Sequence, residues 1–193
     1  MKTQFSSVLT GLFCYLLLIP TAEAHSFSTE TTGLIQGLIH PFLGLDHLLA
    51  MIAVGIWAGQ LGGKSAWLLP LSFLSAMVIG SGLGYLGIAL PVVEPMIASS
   101  VLALGLIIVS AVRLSLLTAM SLIAWFALFH GAAHGLELPS NASPLLYGLG
   151  FVLATAALHY LGVGLGQSSR PYHSIQRLLG FGLIAASTLL LTP

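Results

Sequence analysis

From residue 33 onward the chain alternates long apolar runs with short breaks rich in glycine, proline or charge. The runs lie at 33–60, 66–90, 95–112, 115–136, 144–166 and 175–191. The breaks are Gly62-Gly63-Lys64-Ser65, Pro91 to Pro95, Arg113, Pro139 to Pro144, and Gln167 to Pro171. A helix needs about 20 apolar residues to cross the hydrocarbon core, and each run is near that length. The pattern predicts an all-α, polytopic membrane helix bundle of six transmembrane helices. Glycines recur at four-residue spacing, as Gly33/Gly37, Gly55/Gly59/Gly63, Gly80/Gly84 and Gly131/Gly135. Small faces of this kind let helices pack closely in lipid.

The segment before these runs has a different grammar. Lys2 opens a short polar start, an apolar stretch runs through Leu18 and Ile19, and Pro20 precedes the small-residue site Ala22-Glu23-Ala24. This reads as a secretory signal over 1–24, cleaved after Ala24, which leaves 25–193 as the six-helix transmembrane domain. The plainer alternative is an uncleaved first helix. Cleavage would make His25 the new N-terminus, and a free α-amine beside an imidazole offers two nitrogen ligands suited to nickel or copper. A polar leader from His25 to Thr32 is the blander reading of the same residues.

Composition removes the soluble alternatives. The chain is 57% hydrophobic and 5% charged, with a mean hydropathy of +1.04, whereas soluble chains carry roughly 25% charged residues. Five basic and five acidic side chains leave no basic patch, so nucleic acid is not an expected partner and membrane lipid is. The single cysteine, Cys14, falls in the signal, so a metal site in the mature chain must use nitrogen and oxygen. Charge also predicts orientation. With the mature N-terminus outside, Lys64, Arg113, Arg170 and Arg177 fall on the cytoplasmic side, while Glu30, Glu94 and Glu137 fall outside. This is the arrangement expected of a multi-pass protein in a bacterial inner membrane with a periplasmic N-terminus.

Two stretches carry the chemistry: His40-Pro41-Phe42-Leu43-Gly44-Leu45-Asp46-His47 in the first run, and Phe129 to Glu137 at the end of the fourth. Ionisable groups inside a membrane cost roughly 2.5–3.5 kcal/mol each on insertion scales, so their clustering needs a functional reason. On an ideal helix His40 and His47 lie within about 20° of one face, and His130 and His134 within about 40° of each other with Glu137 near the same stripe. Asp46 lies off the first stripe, where it would orient a histidine by accepting its second N–H. Pro41 removes a backbone hydrogen bond and can kink the helix. Met51, one turn past His47, would add a thioether or only packing. His159 has no acidic neighbour and His173 lies in a basic loop, so neither joins the predicted set. Counting residues down from the outer surface, Glu137 and His134 come first, His40 and His130 about two turns down, and Asp46 and His47 near the middle. The result is a descending ladder, with His25 at its mouth.

These motifs, histidine-x5-aspartate-histidine and phenylalanine-histidine-glycine-x-alanine-histidine-glycine-x-glutamate, resemble those of the HupE/UreJ family of nickel and cobalt permeases. The resemblance extends to the signal, the six-helix layout and a mature N-terminal histidine. It implies a secondary transporter with no prosthetic group, taking up Ni2+ or Co2+ as the transported ion, with His40, Asp46, His47, His130, His134 and Glu137 as functional positions. A Walker-type phosphate loop is missing from the sequence. Two other functions stay open at this point. An intramembrane zinc-dependent hydrolase would use three histidines and a carboxylate base, and a proton relay would use the same histidine chain. Two three-helix halves of opposite orientation also hint at an inverted repeat.

Overall fold

The computed structural model describes residues 33–191, and within them the protein is helical throughout. The expected signal segment 1–24 and His25 lie outside the described residues. In chain order the helices are α1 (Gly33–Ile39), a 3-10 turn (His40–Phe42), α2 (Leu45–Leu61), α3 (Ser65–Tyr85), α4 (Val93–Val109), α5 (Leu116–Leu136), α6 (Pro144–Ser169) and α7 (His173–Leu191). Local signals explain several ends. Ser115 accepts a hydrogen bond from the Thr118 amide and caps α5. Pro144 opens α6, where its missing N–H costs nothing. Gly62, at φ 70°, closes α2 in a conformation that favours glycine.

The expected single helix over 33–60 is instead two, bent by 79°. Pro41 sits in the first turn of the 3-10 segment and cannot donate to the carbonyl four residues back. Gly44 is extended, at φ −102° and ψ 118°, so helical geometry restarts only at Leu45. Among the described residues four helices are long and apolar enough to cross a membrane, and the bent pair makes a fifth if its two halves form one span. The third expected run forms α4, which is shorter at 17 residues. The second expected run forms α3, which ends at Tyr85, short of residue 90, because the following stretch leaves the helix through Gly87, at φ 74°.

Glycines set how these helices meet. A methyl group on Gly55 or Gly59 would collide with the carbonyl oxygens of His159 or Val163, and one on Gly162 or Gly166 with those of Ile52 or Ile56. The numbers rise together, so α2 and α6 run parallel. Gly33 and Gly37 meet Ser143, Tyr147 and Phe151 in the same sense, so α1 extends the seam along the first half of α6. Gly80 and Gly84 meet Leu128 to Leu136, while Gly131 and Gly135 meet Met77 to Tyr85, which makes α3 and α5 parallel too. Gly105 and Gly180 pair with the opposite sense, since Gly105 meets Gly180 and Ile184 while Gly180 meets Gly105 and Val109. Gly63 belongs to none of these seams. It stands in open space at the turn after α2, at φ 53°.

The helix ends sort accordingly. Gln60 and Leu61 from α2, Ala111 to Arg113 after α4, and Arg170, His173 and Gln176 around the α6–α7 turn line one cavity of about 150 Å³. There the Trp57 indole donates to the Val112 carbonyl at 3.2 Å, and the Arg170 guanidinium donates to the Gly59 carbonyl. At the other end, Gly84 and Tyr85 meet Gly135, Leu136, Pro139 and Pro144 around a larger cavity. Trp67, Leu117 and Leu145 are exposed on the outside of the bundle, where lipid would cover them.

Candidate metal site

The break after α1 does more than bend the chain. It places Asp46 in the first turn of α2, where the helix dipole favours a carboxylate. Asp46 Oδ1 accepts from the His47 backbone N–H at 2.7 Å and pairs with the His47 ring at Nδ1, 2.6 Å away. A carboxylate can only accept, so Nδ1 carries the ring proton and Nε2 carries the lone pair. That Nε2 is buried and has no partner.

The histidines of α5 are arranged by other means. His130 Nε2 lies 3.0 Å from the hydroxyl of Ser100 on α4. Ser100 gives its one proton to the Ile97 carbonyl at 2.6 Å, so it must accept from His130. The bare lone pair of His130 is therefore at Nδ1, again buried and unpartnered. His134, one turn on, has neither ring nitrogen satisfied and is 1% exposed. Desolvating such groups without a partner costs about 1–3 kcal/mol each.

The rings form a continuous series. His134 lies 4.8 Å from His40 and 4.3 Å from His47, and His47 lies 5.1 Å from His130, centroid to centroid. His40 Nε2 reaches Glu137 Oε2 at 3.2 Å, and His134 Nδ1 lies 3.8 Å from the same oxygen. One ligand atom from each of His40, His134 and Glu137 falls within 4.8 Å of the others, a group able to hold a metal ion. Glu137 follows the last residue of α5, with its side chain 51% exposed. The hydrogen bond from His40 holds its carboxyl below the ordinary value, against the opposite pull of partial burial, so an anion faces the open end.

All six motif residues thus come together, but not on the expected ladder. His40 stands level with Glu137 and His134, not beside His130, because the helix break folds it back toward the mouth. His47, expected deepest, lies between His134 and His130. His25 is outside the described residues, and Met51 is fully buried in the core.

The amino-acid sequence matches the family described as HupE / UreJ protein over residues 13–190. It is also 45% identical over 162 residues to Protein HupE of Rhizobium leguminosarum bv. viciae, covering 84% of each chain. The chain belongs to the HupE/UreJ family. The matched span contains both histidine motifs with every ligand candidate between His40 and Glu137. No solved structure matches.

Sequence reasoning missed several residues that shape the site. Ser100 fixes the tautomer of His130, and its signal was a serine pair, Ser99-Ser100, inside an apolar helix. Tyr147 and Phe151, one turn apart on α6, wall the mouth: Phe151 lies 4.0 Å from His134, and Tyr147 lies 5.7 Å from His40. Phe73 of α3 lies 5.6 Å from His130 on the deep side. Aromatic residues in a membrane helix carry no spacing that separates such a wall from ordinary packing.

Proposed function

We propose that the protein is a secondary transporter that carries a divalent transition-metal ion, nickel or cobalt, inward across a bacterial inner membrane. The observation that carries this reading is the set of buried imidazole lone pairs, at His47 Nε2, His130 Nδ1 and His134, that converge with no hydrogen-bond partner among the described residues. Asp46 and Ser100 turn two of these rings so that the bare nitrogen is available, the arrangement that holds histidine ligands at metal sites. Imidazole nitrogen with a carboxylate suits nickel and cobalt, whereas magnesium and calcium prefer oxygen alone. The uptake functions associated with the HupE/UreJ family support the same assignment.

The ion enters at Glu137, His40 and His134 and passes to His47 and His130 by exchanging one ligand for the next. Asp46 and Glu137 offset its charge as water is removed. A membrane potential of 100 mV contributes about 4.6 kcal/mol to the inward movement of a dication, so accumulation needs no nucleotide. Six crossings after a cleaved signal fit the packing directions. With alternating spans, the first and fifth run parallel, the second and fourth run parallel, and the third and sixth oppose, as the glycine seams do. Lys64, Arg113 and Arg170 then face the cytoplasm and the imidazole mouth faces the periplasm, where His25 would meet the ion. The serial arrangement of the imidazoles gives a hydrolase, which needs one closed centre, no separate support.

Uptake of radiolabelled nickel into proteoliposomes under an inside-negative potential tests the proposal. Wild-type protein should accumulate the ion, with cobalt competing and magnesium not, and His47→Ala should remove accumulation. Vesicles containing wild-type protein that take up no more nickel than empty vesicles would overturn it.

A further inference from the structure

Beyond the imidazole series, α6 carries one more buried histidine that the motifs leave out. His159 is 1% exposed, with both ring nitrogens unpartnered. Its ring lies 5.1 Å from Phe73, edge to face, and among the described residues it touches no other imidazole. Phe73 in turn lies 5.6 Å from His130. One aromatic side chain therefore contacts the last outer histidine and His159 alike.

Depth follows from α6 itself. Phe151, which packs on His134, and His159 are eight residues apart on the same helix, so His159 lies about 12 Å further toward the arginine-bearing end. Thr155 precedes His159 by four residues and shares its face. The Thr155 side chain is fully buried and its hydroxyl has no partner. Other hydroxyls here behave differently. Ser100, Ser169 and Ser187 each donate to the carbonyl three residues back. A threonine that leaves this local bond unmade, beside an imidazole with two unmet nitrogens, is a pair of polar groups without a hydrogen-bond partner among the described residues.

We propose that His159 and Thr155 form an inner station for the transported ion, parted from the outer histidines by the ring of Phe73. This rests on the transport reading and extends it from one site to two. The station supplies one imidazole nitrogen and one hydroxyl oxygen, with water completing the shell and, among the described residues, no carboxylate near. It binds more weakly than the outer group, as onward release requires: a site that gripped the dication as firmly as Glu137, His40 and His134 would stall it. The Phe73 ring excludes water between the stations, so the ion passes only when that side chain turns aside.

Cobalt spectroscopy on full-length protein in lipid nanodiscs tests this directly. In a Cys14→Ser background, His159→Cys and Thr155→Cys each place a thiol at the inner station and nowhere else. A coordinating thiol loses its proton and gives a thiolate-to-cobalt charge-transfer band that nitrogen and oxygen ligands do not. The band should appear on adding Co2+ to either variant and be absent from the Cys14→Ser parent. Bound cobalt with no such band in either variant would overturn the inner station while leaving the outer site intact. Failure of the parent to bind any cobalt would remove the transport reading and the inner station with it. A kinetic arm gives an independent readout. His159→Leu should lower the maximal uptake rate about tenfold, the low end of what losing a partner at a metal site costs, with half-saturation unchanged. Uptake by His159→Leu at the wild-type rate would overturn the proposal.

Discussion

The two stretches that supply the motif histidines solve the same problem in opposite ways. The α5 stretch is an unbroken helix, and its i, i+4 histidines lie on one face because of helical periodicity alone. The stretch from α1 to α2 is broken over His40 to Gly44, and its two histidines reach the site from either side of a 79° bend. In the continuous helix no new helix start lies beside the ring, and orientation of His130 comes from a neighbouring helix through Ser100. In the broken one the chain orients itself: the new helix start carries Asp46, which holds the adjacent His47 ring. The unbroken helix sets spacing, and the break brings a charge into the membrane next to the ring it must turn.

His134 is where the two designs meet, so its removal should break the comparison most completely. Its ring packs on His40 before the bend and on His47 after it. His134→Ala should lower nickel uptake by about 100-fold, the upper range for loss of a group at a metal site. The check is initial-rate uptake in proteoliposomes at matched protein density. A variant that keeps half of wild-type uptake would show that the stretches do not share a path.

Next in size is the packing that holds the broken stretch in place. Gly162→Ala would drive a methyl group into the Ile52 carbonyl on α2, whereas Gly164→Ala meets open space two residues away. The first should cost about 1–3 kcal/mol, as overpacking does, and the second should change little. Thermal unfolding of the two variants in one detergent separates them. Equal midpoints would show that the α2–α6 seam does not hold the bend.

How much of this was legible beforehand follows the same division. Along α5 the spacing of His130, His134 and Glu137 placed all three, because periodicity survives wherever a helix is unbroken. The glycine repeats marked the seam faces of α1, α2, α3 and α5, but Gly162 and Gly166 were masked by the general abundance of glycine on α6. Across the break, counting failed. Pro41 signalled a kink, yet nothing in the residue pattern gives the angle through which His40 returns to Glu137. Six apolar runs were visible, while the directions in which their helices pack emerged only from which carbonyl faces which glycine. Ser100 and Phe73 were hidden for a simpler reason: each acts through a partner from another helix.

The orienting residues should show smaller effects and differ from each other. Asp46→Asn keeps the shape but can present an amide where His47 needs an acceptor, and it removes a charge that offsets the ion. Ser100→Ala frees the His130 ring without touching charge. Both should lower uptake about tenfold, as lost orienting partners do. Only Asp46→Asn should also weaken apparent affinity, because only it takes a negative charge from the path. A Ser100→Ala variant that raised half-saturation as much as Asp46→Asn would mean the two stretches are oriented by the same means after all.

The smallest effect is expected at Glu137, and it concerns the shape of a pH profile. The hydrogen bond from His40 depresses its carboxyl, so whatever this pairing adds to stability is fully present above the ordinary carboxylate value of about 4.3 and is lost as pH falls through the lowered folded value. Between about pH 7.5 and 5.5 its charge does not change, whereas an imidazole that gains a proton in that window can no longer bind metal. Acid loss of uptake within that window would therefore come from groups other than the Glu137 carboxyl. With half its side chain in solvent, Glu137 also interacts through water, which weakens its pull on the ion. Glu137→Gln should lower uptake a few-fold at every pH while its midpoint stays with that of the wild type. A midpoint displaced by about one unit or more would mean that the Glu137 charge sets the pH response of uptake, and that the exposed end governs the buried one.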